Sequence, residues 1–222
     1  GRTLRRELIV YKAMLGGNIE KAIENVKMTV LDAETSGDIA KASGSLNRMG
    51  ELFMSIGDYD KSIEHYQKSI NNMVSHNVTV ILLMVAYPML GLAYLRKLRK
   101  ETPSKKELYH IRKHINKLIK KSYKMSLFKP LALLCDAIYK WHCKKMKAAH
   151  KLFSCSLNES KKYGSMLWQA HAYYDYGQCL FMDEDESQKT LGKQHLESAL
   201  ELYNKCGCVP YITSVEKLLE NM

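Results

Sequence analysis

Residues 17–23, Gly17-Asn18-Ile19-Glu20-Lys21-Ala22-Ile23, return forty positions later as Gly57-Asp58-Tyr59-Asp60-Lys61-Ser62-Ile63. In each stretch a glycine, which enters the left-handed region without a Cβ penalty, precedes an Asn or Asp that can accept hydrogen bonds from the free N–H groups of a new helix. Each stretch therefore reads as one helix ending and another beginning. In the second copy a helix over about residues 40–55 places Met49, Gly50 and Phe53 on one face, and Gly57 ends it. Asp58 then caps a second helix with a buried stripe of Ile63, Tyr66 and Ile70, while the small Ser62 and Ser69 let the two helices approach closely. A single hairpin of this kind cannot bury its own apolar face, so neighbours must stack to cover one another. The expected fold is all-α, a solenoid of antiparallel helix pairs.

The rest of the chain agrees. Only 4 prolines occur in 222 residues, apolar residues recur at spacings of three and four, and strand signals are nearly absent. A third copy opens with Leu90-Gly91-Leu92-Ala93-Tyr94, and its second helix follows a loop around Thr102-Pro103-Ser104. A fourth places Met146, Ala149, Phe153 and Ser156 at helical spacing. The fifth pairs a helix over Trp168–Leu180 with one from about Gly192 to Tyr203, separated by the acidic insert Asp183-Glu184-Asp185-Glu186. About five repeats, near 5–37, 38–76, 77–125, 128–163 and 164–222, are expected to form a single domain, with a period longer than the 34-residue norm of two-helix repeats.

Met49-Gly50, Phe53, Gly57, Tyr59, Ser62, Tyr66 and Ser69 resemble the pattern of the tetratricopeptide repeat family, with Val74 where the family closes on proline. The resemblance implies a protein-binding module in which the first helix of each unit lines a groove. Carried over position by position, the groove residues are Asn47, Glu51, Met54 and Ser55 in the second unit and Tyr174, Gln178 and Phe181 in the fifth. The closing stretch, His195 to Tyr211, holds a helix ending in Tyr203, a turn at Cys206-Gly207-Cys208, and then Pro210-Tyr211 before a last helix through Val215 to Leu219. It resembles the end of the repeat region in soluble, bicarbonate-type adenylyl cyclases and related large signalling ATPases, with Cys208 where those proteins usually carry alanine. That resemblance implies a non-catalytic C-terminal regulatory segment in cyclic-nucleotide signalling, with cilia or flagella as a setting. The chain opens on Gly1 rather than methionine, as a fragment of a larger protein would.

Lys and Arg number 34 against 23 Asp and Glu, a net charge of +11. The excess is local: residues 96–151 hold 18 basic and 3 acidic residues, and the remainder is slightly acidic. At its centre a helix over about Ser104–Met125 carries Leu108, Ile111, Ile115, Leu118 and Ile119 on one stripe, and Lys106, Arg112, Lys113, Lys117, Lys120, Lys121 and Lys124 elsewhere. Such a basic amphipathic helix suits an acidic protein surface, anionic lipid or a calmodulin-type partner. It equally suits a solvated outer helix that keeps the array soluble. Nucleic acid is disfavoured, because lysine outnumbers arginine, no RNA or DNA module signature occurs, and the units are too irregular to present one reading position each. The acidic insert could also dock on this patch from within the chain.

Val78–Leu95 is eighteen residues without a charge, followed by Arg96-Lys97-Leu98-Arg99-Lys100. Pro88, Gly91 and the embedded repeat signature argue for a core helix kinked at Pro88 rather than a membrane span. The six cysteines, Cys135, Cys143, Cys155, Cys179, Cys206 and Cys208, stand where small core residues belong, and no signal peptide is visible, so reduced thiols and a cytoplasmic location are expected. His110 and His114 lie four apart on one helix face, where a metal would need a third and fourth ligand from elsewhere, and His142, Cys143, His150 and Cys155 match no zinc-module spacing. Gly16-Gly17 lacks the lysine of a phosphate-binding loop, and the acidic insert lacks the burial that splits two carboxyl pKa values. No catalytic centre, metal or cofactor is expected.

Overall fold

The computed structural model describes residues 18–221 apart from 101–102, 124 and 183–184, and at 100, 114, 117, 118 and 121 it describes the backbone alone. Gly16, Gly17, the start of the first expected repeat, Thr102, Lys124, Asp183 and Glu184 lie outside the described residues. Within them the chain forms α-helices and short 3-10 segments with no strand: α1 (Ile19–Thr35), α2 (Ile39–Ser55), α3 (Tyr59–Ser75), α4 (Ala86–Lys97), α5 (Lys105–Tyr123), α6 (Lys129–His142), α7 (Met146–Lys162), α8 (Met166–Phe181), α9 (Glu186–Cys206) and α10 (Val209–Glu220). The fold is all-α. The chain divides into two compact units, the first ending at Lys97 and the second beginning at Leu98, a boundary inside the third expected repeat. Within each unit consecutive helices pack on one another, as in a helical repeat.

Six helix ends among the described residues share one geometry. At Gly37, Gly57, Asn77, Lys144, Gly164 and Gly207 the backbone takes a positive φ between 52° and 76°. At each, that residue's N–H bonds three positions back and the next N–H bonds five back, as Asp58 N does to the Phe53 carbonyl at 2.9 Å and Lys145 N to the Lys140 carbonyl at 2.9 Å. This double bond satisfies carbonyls that a helix end would otherwise leave open. The turns at 37, 57 and 77, and again at 144 and 164, recur every twenty residues, which is half the period seen in the quoted stretches.

The cap that follows differs from turn to turn. Asn18, Asp38 and Asp58 each accept a hydrogen bond from the N–H three residues on, at 3.0, 3.0 and 3.2 Å. At the α6–α7 turn both devices are missing: Lys144 stands in the left-handed region and Lys145 leaves the start of α7 without a side-chain cap. A non-glycine residue there costs roughly 1 kcal/mol, a missing cap about 1 kcal/mol more, and a cation at a helix N-terminus opposes its dipole. Lys144→Gly combined with Lys145→Asp is expected to raise stability by about 1–2 kcal/mol, read from the urea midpoint at unchanged m-value.

Close approach between helices rests on small residues. Tyr66 of α3 packs over Gly50 of α2, where an added Cβ would sit 2.8 Å from the ring. Ser62 and Ser69 are buried and donate across the pair to the carbonyls of Gly50 (2.8 Å) and Ser43 (3.0 Å). Ser156 of α7 does the same to the Pro130 carbonyl of α6 at 2.8 Å. The first unit's core gathers Ala22, Val26, Met49, Leu52 and Phe53. The second unit's C-terminal core gathers Ala170, Tyr174, Leu196, Ala199, Tyr203, Tyr211 and Val215, and inside it the buried His171 and Tyr203 share a 2.7 Å hydrogen bond.

Two expectations need correction. Val78–Leu95 is not one kinked helix: Ile81–Val85 is a 3-10 segment with no buried residue, and α4 begins only at Ala86. Pro88 therefore sits in the first turn of α4, where its missing N–H has no intrahelical partner to lose, and no kink arises. The structure also shows what the charged flank after this run does, which the sequence did not address. Arg96 is buried, Lys97 pairs with Asp60, and Arg99 forms a 2.7 Å ion pair with Asp175 in which the two side chains are only 8% and 0% exposed. The last helix pair also begins earlier than expected, at Glu186, because Asp185 of the acidic insert is the cap of α9 and accepts from Ser187 N at 2.8 Å.

Candidate functional site

The basic helix is α5, and its sequence explains its start. Ser104 and Glu107 form a capping box: Ser104 N and Oγ both donate to Glu107 Oε2 at 2.7 Å, and Glu107 N donates back to Ser104 Oγ at 3.2 Å. The carboxylate accepting these bonds is held below its ordinary pKa range. Glu107 is the helix's one acidic residue, so α5 contains no other carboxylate to neutralise its lysines.

The apolar face does what periodicity predicts. Leu108, Ile115 and Ile119 are buried and Ile111 is half-buried, with Ser122 completing the buried row. Beside this row Arg112 reaches α6, pairs with Asp136, and places its guanidinium 4.7 Å from the centre of the Tyr139 ring. Tyr123 Oη donates to the other Asp136 oxygen at 2.7 Å. Partial burial and this bond to a carboxylate push the Tyr123 phenol well above its ordinary value, so it remains a donor at any physiological pH. Asp136 thus staples the middle and the C-terminal end of one face of α5 to α6. Arg112 belongs to this staple, not to the set of solvent-facing cations.

Lys106, Lys113 and Lys120 are exposed, and among the described residues they form no ion pair. Seven-residue steps turn a helix 20° short of two full turns, so the three lie in one row, opposite the buried face and about 21 Å from end to end. Tyr109, 67% exposed, flanks this row. For Lys117 and Lys121 only the backbone is described, and it continues the helix.

The groove positions carried over from the repeat pattern are engaged inside the chain. Asn47, Met54 and Ser55 are buried; Asn47 Nδ2 donates to the Leu83 carbonyl at 3.2 Å and Ser55 Oγ to that of Leu52 at 2.7 Å. Burial pushes the Glu51 carboxyl up, with Arg48 opposing. The 3-10 segment Ile81–Val85 packs on α2 and brings Leu83 against Asn47 and Gly44. In the second unit Tyr174 is part of the C-terminal core, Gln178 Oε1 accepts from Arg99 at 2.8 Å, and Phe181 is half-buried beside Gly192.

Among the described residues no three His, Cys, Asp or Glu side chains converge to hold a metal ion, and no helix is long and apolar enough to cross a membrane. His150 is taken by Tyr176, its Nδ1 lying 2.7 Å from the phenol oxygen. Cys135 and Cys179 are buried; burial pushes the Cys179 thiol up to about 12, so it stays protonated and unreactive at neutral pH. Sequence reasoning missed Asp136, Tyr139 and Tyr123 as the anchors of α5. The available signal was the lone acid, Asp136, in the otherwise apolar and basic run 129–142.

Neither protein-family models nor curated proteins give a match to this chain.

Proposed function

We propose that this chain is a non-catalytic helical-repeat interaction module, similar in plan to tetratricopeptide repeats, that docks an acidic protein partner on α5. Lys106, Lys113 and Lys120, exposed and without an ion pair among the described residues, carry this reading, on a helix whose apolar side and whose arginine are already used within the fold. An amphipathic helix that binds a bilayer inserts its apolar face; here that face is covered, which favours a protein surface met through charge. The docking role rests on this row rather than on the helix-lining residues of α2 and α8, whose side chains make internal contacts.

The test replaces Lys106, Lys113 and Lys120 together with glutamate and titrates fluorescent poly-L-glutamate at low ionic strength. Three exposed attractive charge pairs become repulsive ones, which is expected to weaken binding at least tenfold while the far-UV circular dichroism stays the same. Equal affinity of the reversed chain for poly-L-glutamate rejects the docking role.

A second reading, the regulatory C-terminal segment of a cyclase-like or nucleotide-regulated signalling enzyme, is supported by the closing turn. There Gly207 takes the left-handed cap, Pro210 opens α10, and Tyr211 packs against Tyr203 with ring centres 4.9 Å apart. A cyclase or ATPase domain encoded directly upstream of Gly1 would establish it, and an unrelated upstream sequence would exclude it.

A further inference from the structure

Building on the acidic-partner reading, we infer that Tyr109 is the anchor of that contact, so that the partner presents an apolar pocket rimmed by carboxylates rather than an acidic surface alone. Tyr109 is 67% exposed, the most exposed aromatic side chain among the described residues. Other tyrosines work inside the fold: Tyr66 and Tyr203 are buried, Tyr176 is bonded to His150, and Tyr123, the second tyrosine of α5, is bonded to Asp136. On an α-helix the neighbours of a side chain stand three and four positions away. For Tyr109 these are Lys105, Lys106, Arg112 and Lys113; Arg112 is turned to Asp136, and the three lysines are exposed and without an ion pair among the described residues. Helical side chains lean toward the N-terminus, so Lys113 leans toward the ring and the ring toward Lys105 and Lys106. An aromatic centre inside a polar rim is the layout of an interface hot spot.

In such a contact the ring and the lysines assist each other. Tyrosine brings a large, rigid contact area at a low cost in side-chain entropy, and the water it excludes lowers the local dielectric, which strengthens the lysine–carboxylate pairs around it. A flat acidic surface would leave the ring wet and gain only exposed, screened pairs. An anionic bilayer would take up a stripe of apolar side chains, and those of α5, Leu108, Ile115 and Ile119, are buried. A single-stranded nucleic acid stacks successive bases on a series of rings. Beside Tyr109 the His110 ring stands edge-on, with centres 6.0 Å apart, and the next tyrosine of the helix lies about four turns away, held by Asp136.

The experiment uses the whole chain and two fluorescent peptides of equal length and equal glutamate content, one with a pair of leucines at its centre and the other with a pair of serines there. By fluorescence anisotropy at low ionic strength the leucine peptide is expected to bind about fivefold more tightly. Tyr109→Ser is expected to bind both peptides equally, with the serine peptide held as tightly as by the unaltered chain, which an unfolded or generally weakened variant could not do. Tyr109→Phe, which keeps the ring, and Tyr163→Ser, which removes an exposed tyrosine elsewhere, are each expected to retain the preference. Equal affinity of the unaltered chain for the two peptides, or a preference that survives in Tyr109→Ser, overturns the anchor and leaves the acidic-partner reading standing. Binding of neither peptide, or tighter binding of oligouridylate or of phosphatidylserine vesicles than of both, overturns the two together.

Discussion

Gly177→Ala is expected to destabilise the second unit by about 3 kcal/mol, and Gly192→Ala by a similar amount. An added Cβ at 177 would lie 2.8 Å from the Gly192 carbonyl oxygen and 2.8 Å from Leu196 Cγ; at 192 it would lie 2.9 Å from the Gly177 carbonyl oxygen and 3.0 Å from Phe181 N. These are mostly backbone atoms of a facing helix, which cannot rotate aside as a side chain can. The crossing of α8 and α9 must therefore open, loosening the Tyr174, Leu196 and Tyr203 core along the same pair. Alanine gains about 1 kcal/mol of helix propensity over glycine, but overpacking against backbone costs about 1–3 kcal/mol or more, and the loosened core adds to it. Gly44 of α2 is the control: its Cβ would meet only Leu83 Cδ2, at 3.4 Å, so Gly44→Ala is expected to be neutral or stabilising by up to about 1 kcal/mol. Urea unfolding of the three variants decides the matter, and equal behaviour of Gly44→Ala and Gly177→Ala would refute the close crossing.

Breaking the Arg99–Asp175 pair is expected to cost still more. Asp175 lies wholly inside the second unit, on a helix that otherwise presents mainly apolar and aromatic residues, and Arg99 reaches it from the 3-10 turn Leu98–Lys100 while also donating to Gln178. Neutralising one partner leaves the other charge buried without its counter-ion, a loss of roughly 3–5 kcal/mol, whereas replacing both with apolar residues of similar volume is often nearly neutral. Asp175→Ala and Arg99→Met should each lower the urea midpoint sharply, and Arg99→Met combined with Asp175→Leu should recover most of the loss. Additive effects in the double variant would show that the two groups do not act as a pair.

Both features explain why part of this protein was legible in sequence and part was not. The stretch from Gly57 to Ser69 could be read because each residue's role is local: a glycine stops a helix, an aspartate starts one, and serines at i and i+7 face the preceding helix. The apolar face of α5 followed from its periodicity for the same reason. The run from Val78 to Leu95 misled, because a string of uncharged residues reports hydrophobicity but not whether the backbone is helical. Its first part, with Ile81 and Leu82 exposed at 62% and 71%, is a surface segment that packs on α2 beside Asn47. The list of basic residues misled at Arg112, which joins Arg96 and Arg99 in being drawn inward.

Sequence alone determined what depends on near neighbours in the chain: that the molecule is helical, where glycine turns divide the helices, and that its charge is concentrated around α5. Tertiary structure alone decided which of those charges face solvent, because a cation is sequestered by partners tens of residues away, Asp136 for Arg112 and Asp175 for Arg99, that no local pattern announces. Lys106, Lys113 and Lys120 are among the cations of α5 that stay on its outside after those pairings.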